Sequence, residues 1–245
     1  MPGRRVAIFP ILISLLCAFL LARMAYHDRR YFLPLGLVVL TTMLPMFLAR
    51  RRMRRLFLSG DVNLVLESWR RSIERVMYPE TMAPLMIATA YASYGWVEAA
   101  RRSLDRAKKG PAWDAALEQR LFIESLLDTF EGENKDALNK STTLVKLPVP
   151  SSGLFARRRV TKLRDGVAAM VRAFQHQSAP GDAKVLRQAA AISPLVHWAM
   201  RYAGAIVAID HGSKGEAISL LEGAPEWSKE SAFRSFDTEL RAKLA

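Results

Sequence analysis

The sequence predicts an all-α protein, with two transmembrane helices followed by a repeat-like array of helical hairpins. Three observations predict it. Two long uncharged apolar segments lie near the start of the 245-residue chain. From Leu56 onward, apolar residues recur at three- and four-residue intervals, and no alternating segment asks to be a strand. Within that second part, one spacing of glycine, small residue, leucine and small residue returns.

The first segment, Val6 to Ala22, reads "VAIFPILISLLCAFLLA", seventeen residues without a charge. The second, Tyr31 to Ala49, reads "YFLPLGLVVLTTMLPMFLA", nineteen residues without a charge. A bilayer-spanning helix needs roughly 20 apolar residues and tolerates about 17. Eight residues, "RMAYHDRR", join the two, so the pair forms a tight hairpin over 1–55. Pro34 falls in the first turn of the second helix, whereas Pro45 lies deep in it and kinks it. Against a cleaved signal peptide, Ala22-Arg23-Met24 puts methionine where a small residue is needed. Against a lipoprotein, Leu16 precedes Cys17. If the first helix were cleaved after all, the second would still act as a stop-transfer segment.

Net charge is +13, unevenly placed. Residues 1–55 hold ten arginines and one acid, Asp28; residues 56–245 hold 26 basic and 22 acidic side chains. The second part is therefore only mildly basic, which argues against nucleic acid as a partner. Arg4, Arg5, Arg50, Arg51, Arg52, Arg54 and Arg55 flank the hairpin, against Arg23, Arg29 and Arg30 in its loop. Positive loops resist translocation, so both termini are expected on the cytoplasmic side of what reads as a bacterial inner membrane. Cys17 is the single cysteine. The domain 56–245 therefore has no disulfide, as a reducing compartment expects.

Helical periodicity covers Val62 to Val76, Met82 to Tyr94, Trp96 to Lys108, Asp114 to Phe130 and Lys135 to Val145. "KLPVPSSG", Lys146 to Gly153, is the clear break. A long helix follows with Leu163, Val167, Met170, Val171 and Phe174 on one face, and "SAPGD" ends it. Two helices flank "DHGSKG", and a last one runs from Trp227 to Leu244.

The recurring spacing is clearest in "YASYGWVEAARRSLDRAKKGP". Gly95 is followed by Ala100, Leu104 and Ala107; Gly212 by Ala217, Leu221 and Ala224. Gly132 and Gly60 start weaker copies, and "APGD" at 179–182 stands as a degenerate turn between them. Each glycine ends a helix in a left-handed conformation, and the alanines let two helices approach closely. The stretch resembles the tetratricopeptide repeat (TPR). In that family's 34-residue frame, with Thr81 first, Ala88, Tyr91, Gly95, Ala100, Leu104 and Ala107 occupy signature positions, with the terminal proline displaced to Pro111. The match is good only for about 81–114 and 212–224. The resemblance implies a TPR-like solenoid with a protein-binding groove lined by the first helices of the repeats. In this chain those positions include Met82, Leu85, Thr89, Gln119, Phe122, Leu126 and Phe130. The Lys/Asn/Arg carboxylate clamp of the chaperone-binding members is absent. If the groove is open it suits an amphipathic helix, and if a neighbour covers it those residues are core.

No phosphate loop, nucleophile elbow or zinc-protease motif is present. His27 lies in the loop of the hairpin and His176 near a helix end. His197 beside Trp198 reads as a packed residue, and His211 as a helix terminus. Glu131, Glu133 and Asp136 read as a solvated turn. No enzyme activity, metal or cofactor is expected. "FARRRVTKLR", Phe155 to Arg164, opens a helix with positive charge that opposes the dipole. Arg157, Arg158, Arg159, Lys162 and Arg164 are therefore the candidate residues for an anionic surface, lipid or nucleic acid. The leading expectation is a membrane-anchored scaffold or adaptor that binds another protein, and an anionic-surface module is the alternative. Two stability expectations accompany it: Ala100→Leu overpacks a hairpin seam, and Arg101→Leu, taken as exposed, costs little.

Overall fold

In a computed structural model of the chain, residues 23, 26, 30, 32–149 and 153–245 are described. The chain divides into two compact units, 1–55 and Leu56–Ala245. The described residues are helical throughout and contain no strand. The helices are α1 (Phe32–Leu58), α2 (Val62–Ile73), α3 (Pro79–Ser93), α4 (Val97–Asp105), α5 (Pro111–Ala115) and α6 (Leu117–Glu131). They continue with α7 (Asn134–Lys146), α8 (Leu154–Phe174), α9 (Asp182–Ile192), α10 (His197–Asp210), α11 (Lys214–Leu221) and α12 (Ala232–Leu244).

Among the described residues, no helix is long and apolar enough to cross a membrane. The first apolar segment, Val6 to Ala22, lies outside the described residues, and so does His27. Tyr31 of the second segment also lies outside them. In α1 the apolar side chains of Phe32, Leu37, Leu40, Met43, Leu44, Phe47 and Leu48 are exposed, whereas Leu35, Leu56, Phe57 and Leu58 are half-buried. Pro45 stands inside this helix.

In the second unit, consecutive helices pack as pairs: α3 with α4, α6 with α7, α8 with α9, and α10 with α11. The first members of the pairs also touch in order, α3 to α6, α6 to α8 and α8 to α10. Left-handed residues make the turns within these pairs. Gly95, Gly132 and Gly212 have φ of +71°, +81° and +73°. Each donates its N–H to the carbonyl three residues back, and the next residue donates to the carbonyl five back from itself, as in Trp96 to Tyr91 and Ser213 to Ala208. This caps the helix with two otherwise orphaned carbonyls satisfied.

The connection after α8 turns twice. His176, with φ +55°, ends the helix and repeats the same bond pattern, with His176 N–H to Ala173 and Gln177 N–H to Arg172, and "APGD" forms the expected turn, with Gly181 at φ +95° and Asp182 N–H donating to Ala179 O. A left-handed non-glycine residue costs about 1–2 kcal/mol. His176 Nδ1 is held 2.8 Å from Asp210 Oδ1 at the end of α10, which offsets part of that cost. The stretch before "DHGSKG" holds two helices, α9 and α10. Pro194 has no N–H to continue a helix and forces Ser193 into extended backbone, φ −121°, ψ 99°. The last helix starts at Ala232 rather than Trp227, because Ser231 caps it by accepting from Phe233 N–H.

The C-terminal segment returns to the first turns of the unit. Ser231 Oγ donates to Tyr94 O at 2.6 Å, and Ala232 N–H donates to Gly95 O at 2.9 Å. Tyr94 Oη donates to Phe57 O at 2.7 Å, and Trp198 Nε1 donates to Leu58 O at 3.1 Å. Phe233 is fully buried, with ring contacts to Phe130, Tyr202, Trp227 and Phe236. Space at Gly60 is set by this return: a Cβ there would lie 2.5 Å from Pro225 Cγ.

Candidate functional site

The first members of the helix pairs carry the residues expected to line a groove, and the structure divides them. Leu85 and Leu126 are fully buried core residues. Phe130 packs edge-on against Phe174 and Phe233 and also meets Phe236, so the C-terminal helix covers this end of the surface. Leu85 and Leu126 are thus core rather than groove, and Phe130 is half-buried against the C-terminal helix rather than on an open groove. The sequence offers no signal for this covering, because α12 is distant in the chain and lies outside the matched frame.

Thr89 and Phe122 have a different setting. They line an open cleft of about 830 Å³, with Met82 and Gln119 beside them. Thr89 Oγ1 donates to Leu85 O and accepts from Gln119 Nε2 at 2.9 Å, a bridge between α3 and α6 on the cleft wall. Val76, Met77 and Tyr78, from the α2–α3 connection, form one rim; Leu163 and Leu195 form another. Met77 and Tyr78 are strongly exposed. Tyr78 has φ +55° and precedes Pro79, so the backbone holds this rim in a conformation that a tyrosine seldom adopts. The lining is predominantly apolar with a few polar groups, the usual make-up of a binding cleft.

Arg164 stands at the edge of this cleft and is not part of an exposed basic surface. Its side chain is 4% exposed. Nη1 donates to Leu147 O at 2.6 Å, Nη2 to Pro148 O at 3.3 Å, and Nε to Glu118 Oε1 at 3.0 Å. The guanidinium fork thus fastens the α7–α8 connection to α6 and α8. Its placement is structural, which corrects the sequence assignment. Arg157, Arg158, Arg159 and Lys162 are exposed.

The remaining chemical candidates resolve into structure. Glu131 pairs with Arg101. His197 packs edge-on to Trp198 and has Nδ1 3.1 Å from Ala190 O. His211 terminates α10. Among the described residues no group of His, Cys, Asp or Glu could hold a metal ion. No protein-family model, curated protein or solved structure matches the chain.

Proposed function

We propose that the protein is a membrane-anchored scaffold or adaptor whose TPR-like helical domain, 56–245, binds a protein partner in the cleft between α3, α6 and α8. The observation that carries this reading is the cleft itself, open, apolar and lined by Met82, Thr89, Gln119, Phe122, Leu163 and Leu195. An amphipathic helix presents apolar side chains at the spacing such a surface accepts. Support for the repeat architecture comes from the ordered contacts of the first helices and the shared left-handed turns. Support for the anchor comes from the two uncharged runs and from the exposed apolar side chains of α1. The arginines at 50–55 favour a cytoplasmic domain.

A photo-crosslinking residue at Phe122, introduced into the full chain in membranes of its own host, tests the binding. A discrete adduct should form there and not at exposed Arg102 on α4. Equal labelling at both positions overturns the cleft. A reporter fused after Ala245 should be active only on the cytoplasmic side, and activity on the opposite side overturns the localisation.

A further inference from the structure

The first turns of α8 carry an exposed face that takes no part in the cleft. Phe155, Arg158, Arg159 and Lys162 stand at i, i+3, i+4 and i+7, so they form one stripe on the helix. Phe155 is 85% exposed, more than any other described aromatic side chain except Tyr26. Further along the helix, Leu163 packs against the core and Arg164 is fastened to Glu118.

The charge on this stripe is uncompensated. From 137 to 164 the chain has seven cations and no acid. Lys140 is taken up by Asp128, and Arg164 by Glu118. Among the described residues, Arg157, Arg158 and Lys162 have no carboxylate partner, and Arg159 reaches only Ile192 O, at 3.4 Å. The first turn of α8 also lacks any acidic residue, so three consecutive arginines stand against the positive end of the helix dipole. A helix face that served only solvation would not concentrate one sign of charge there and add an exposed phenylalanine.

We infer that this face docks on an anionic lipid surface, with Phe155 entering the interface and Arg158, Arg159 and Lys162 against the head groups. Charge complementarity selects the anionic surface, at about 1 kcal/mol or fivefold per cation. The aromatic selects a bilayer rather than an acidic protein face, because an exposed ring beside cations matches the boundary between acyl chains and head groups. The contact rests neither on the cleft nor on the spans at the N-terminal end. If those spans hold the chain in a bilayer, they raise the local concentration of lipid at α8.

The test uses the full chain with Cys17→Ser and Phe155→Cys, labelled with a polarity-sensitive fluorophore. It is reconstituted in vesicles of phosphatidylcholine alone or of phosphatidylcholine with phosphatidylglycerol. A second preparation labelled at Glu230→Cys serves as the comparison. The 155 label should shift to shorter wavelength and be quenched by lipid-borne quenchers in the anionic vesicles only. Salt should reverse the change, and the 230 label should not respond. Adding Arg158→Gln, Arg159→Gln and Lys162→Gln should lower the docked-to-free ratio about a hundredfold, with helicity unchanged. A 155 label that stays water-like in anionic vesicles overturns the inference. So does an equal response in both vesicle types. So does a response to single-stranded RNA or an acidic polypeptide that exceeds the response to anionic lipid. Vesicle flotation after an alkaline wash reports the N-terminal anchor separately, so failure of the anchor and failure of the α8 contact are distinguishable.

Discussion

Arg101 Nη2 lies 2.6 Å from Asp128 Oδ1, and Lys140 Nζ reaches the other oxygen of the same carboxylate at 2.7 Å. Asp128 is only 4% exposed. One buried carboxylate therefore ties α4 and α7 to α6. Burial pulls both cations toward lower pKa, but their hydrogen bonds and attraction to the carboxylates outweigh it and leave both raised. Arg101→Leu removes one of the two charges that compensate Asp128. A hydrogen bond to a charged group contributes about 1.5–3 kcal/mol, and Arg101's partial exposure places the loss toward the low end. Chemical denaturation should register that loss, contrary to the expectation that Arg101 is a free surface residue. Asp128→Asn should also cost stability, because it removes the carboxylate that the two cations share and leaves Arg101 only Glu131 and Lys140 only Glu124, at 3.5 Å.

Ala88 and Ala100 are both fully buried on the paired helices α3 and α4. Ala100→Leu should overpack that seam and cost about 1–3 kcal/mol. Arg102→Leu, on the exposed side of α4, should change the denaturation midpoint little. Equal tolerance at 100 and 102 would show that close approach at Ala100 is not what holds the pair.

Tyr94 and Tyr202 provide a pH-dependent test. Burial pushes both phenols well above the ordinary tyrosine range, with a further contribution from Asp61 at Tyr94 and from Asp237 at Tyr202. A raised pKa in the folded state means the fold favours the neutral phenol. That stability is complete below the unfolded value of about 10 and is lost as pH rises from there toward the folded value. The loss is about 1.4 kcal/mol per pH unit for each such tyrosine. Tyr94→Phe should be less stable near pH 8 by about 1 kcal/mol, because the bond to Phe57 O is gone. It should also lose stability less steeply than the parent above pH 10. Parallel curves would mean that Tyr94 ionises in the folded state without penalty.

Local rules made much of the fold legible. The helix period, the glycines at 95, 132 and 212 and the break after Lys146 all act over a few residues, and the structure ends a helix beside each glycine and at Lys146. Three features were hidden because their causes are not local. His176 takes a glycine's conformation with the help of Asp210, 34 residues away. Ser231 and Ala232 bond to Tyr94 and Gly95, across more than 130 residues. Arg164 looks like one more charge in a basic run, yet its partners Leu147, Pro148 and Glu118 come from two other segments. The same limit applies to the groove. A repeat frame can say that Phe122 and Leu126 face one direction, but not that a C-terminal helix covers the surface at one end and leaves a cleft at the other.

That division makes the final test discriminating. Leu126 is fully buried, whereas Phe122 is half-buried on the cleft wall. Leu126→Glu would place an unpaired charge in the core and should cost about 4 kcal/mol or more, so the domain should lose its cooperative unfolding transition. Phe122→Glu leaves the carboxylate able to reach water through the cleft and should cost far less. It should nevertheless abolish the crosslinks formed from a probe at Met82, because a charge would then sit in the surface that the partner's apolar side chains must enter. Circular dichroism on both variants, read beside the crosslinking, separates folding from binding. A folded Phe122→Glu variant that still crosslinks at Met82 would show that the cleft is not where the partner sits.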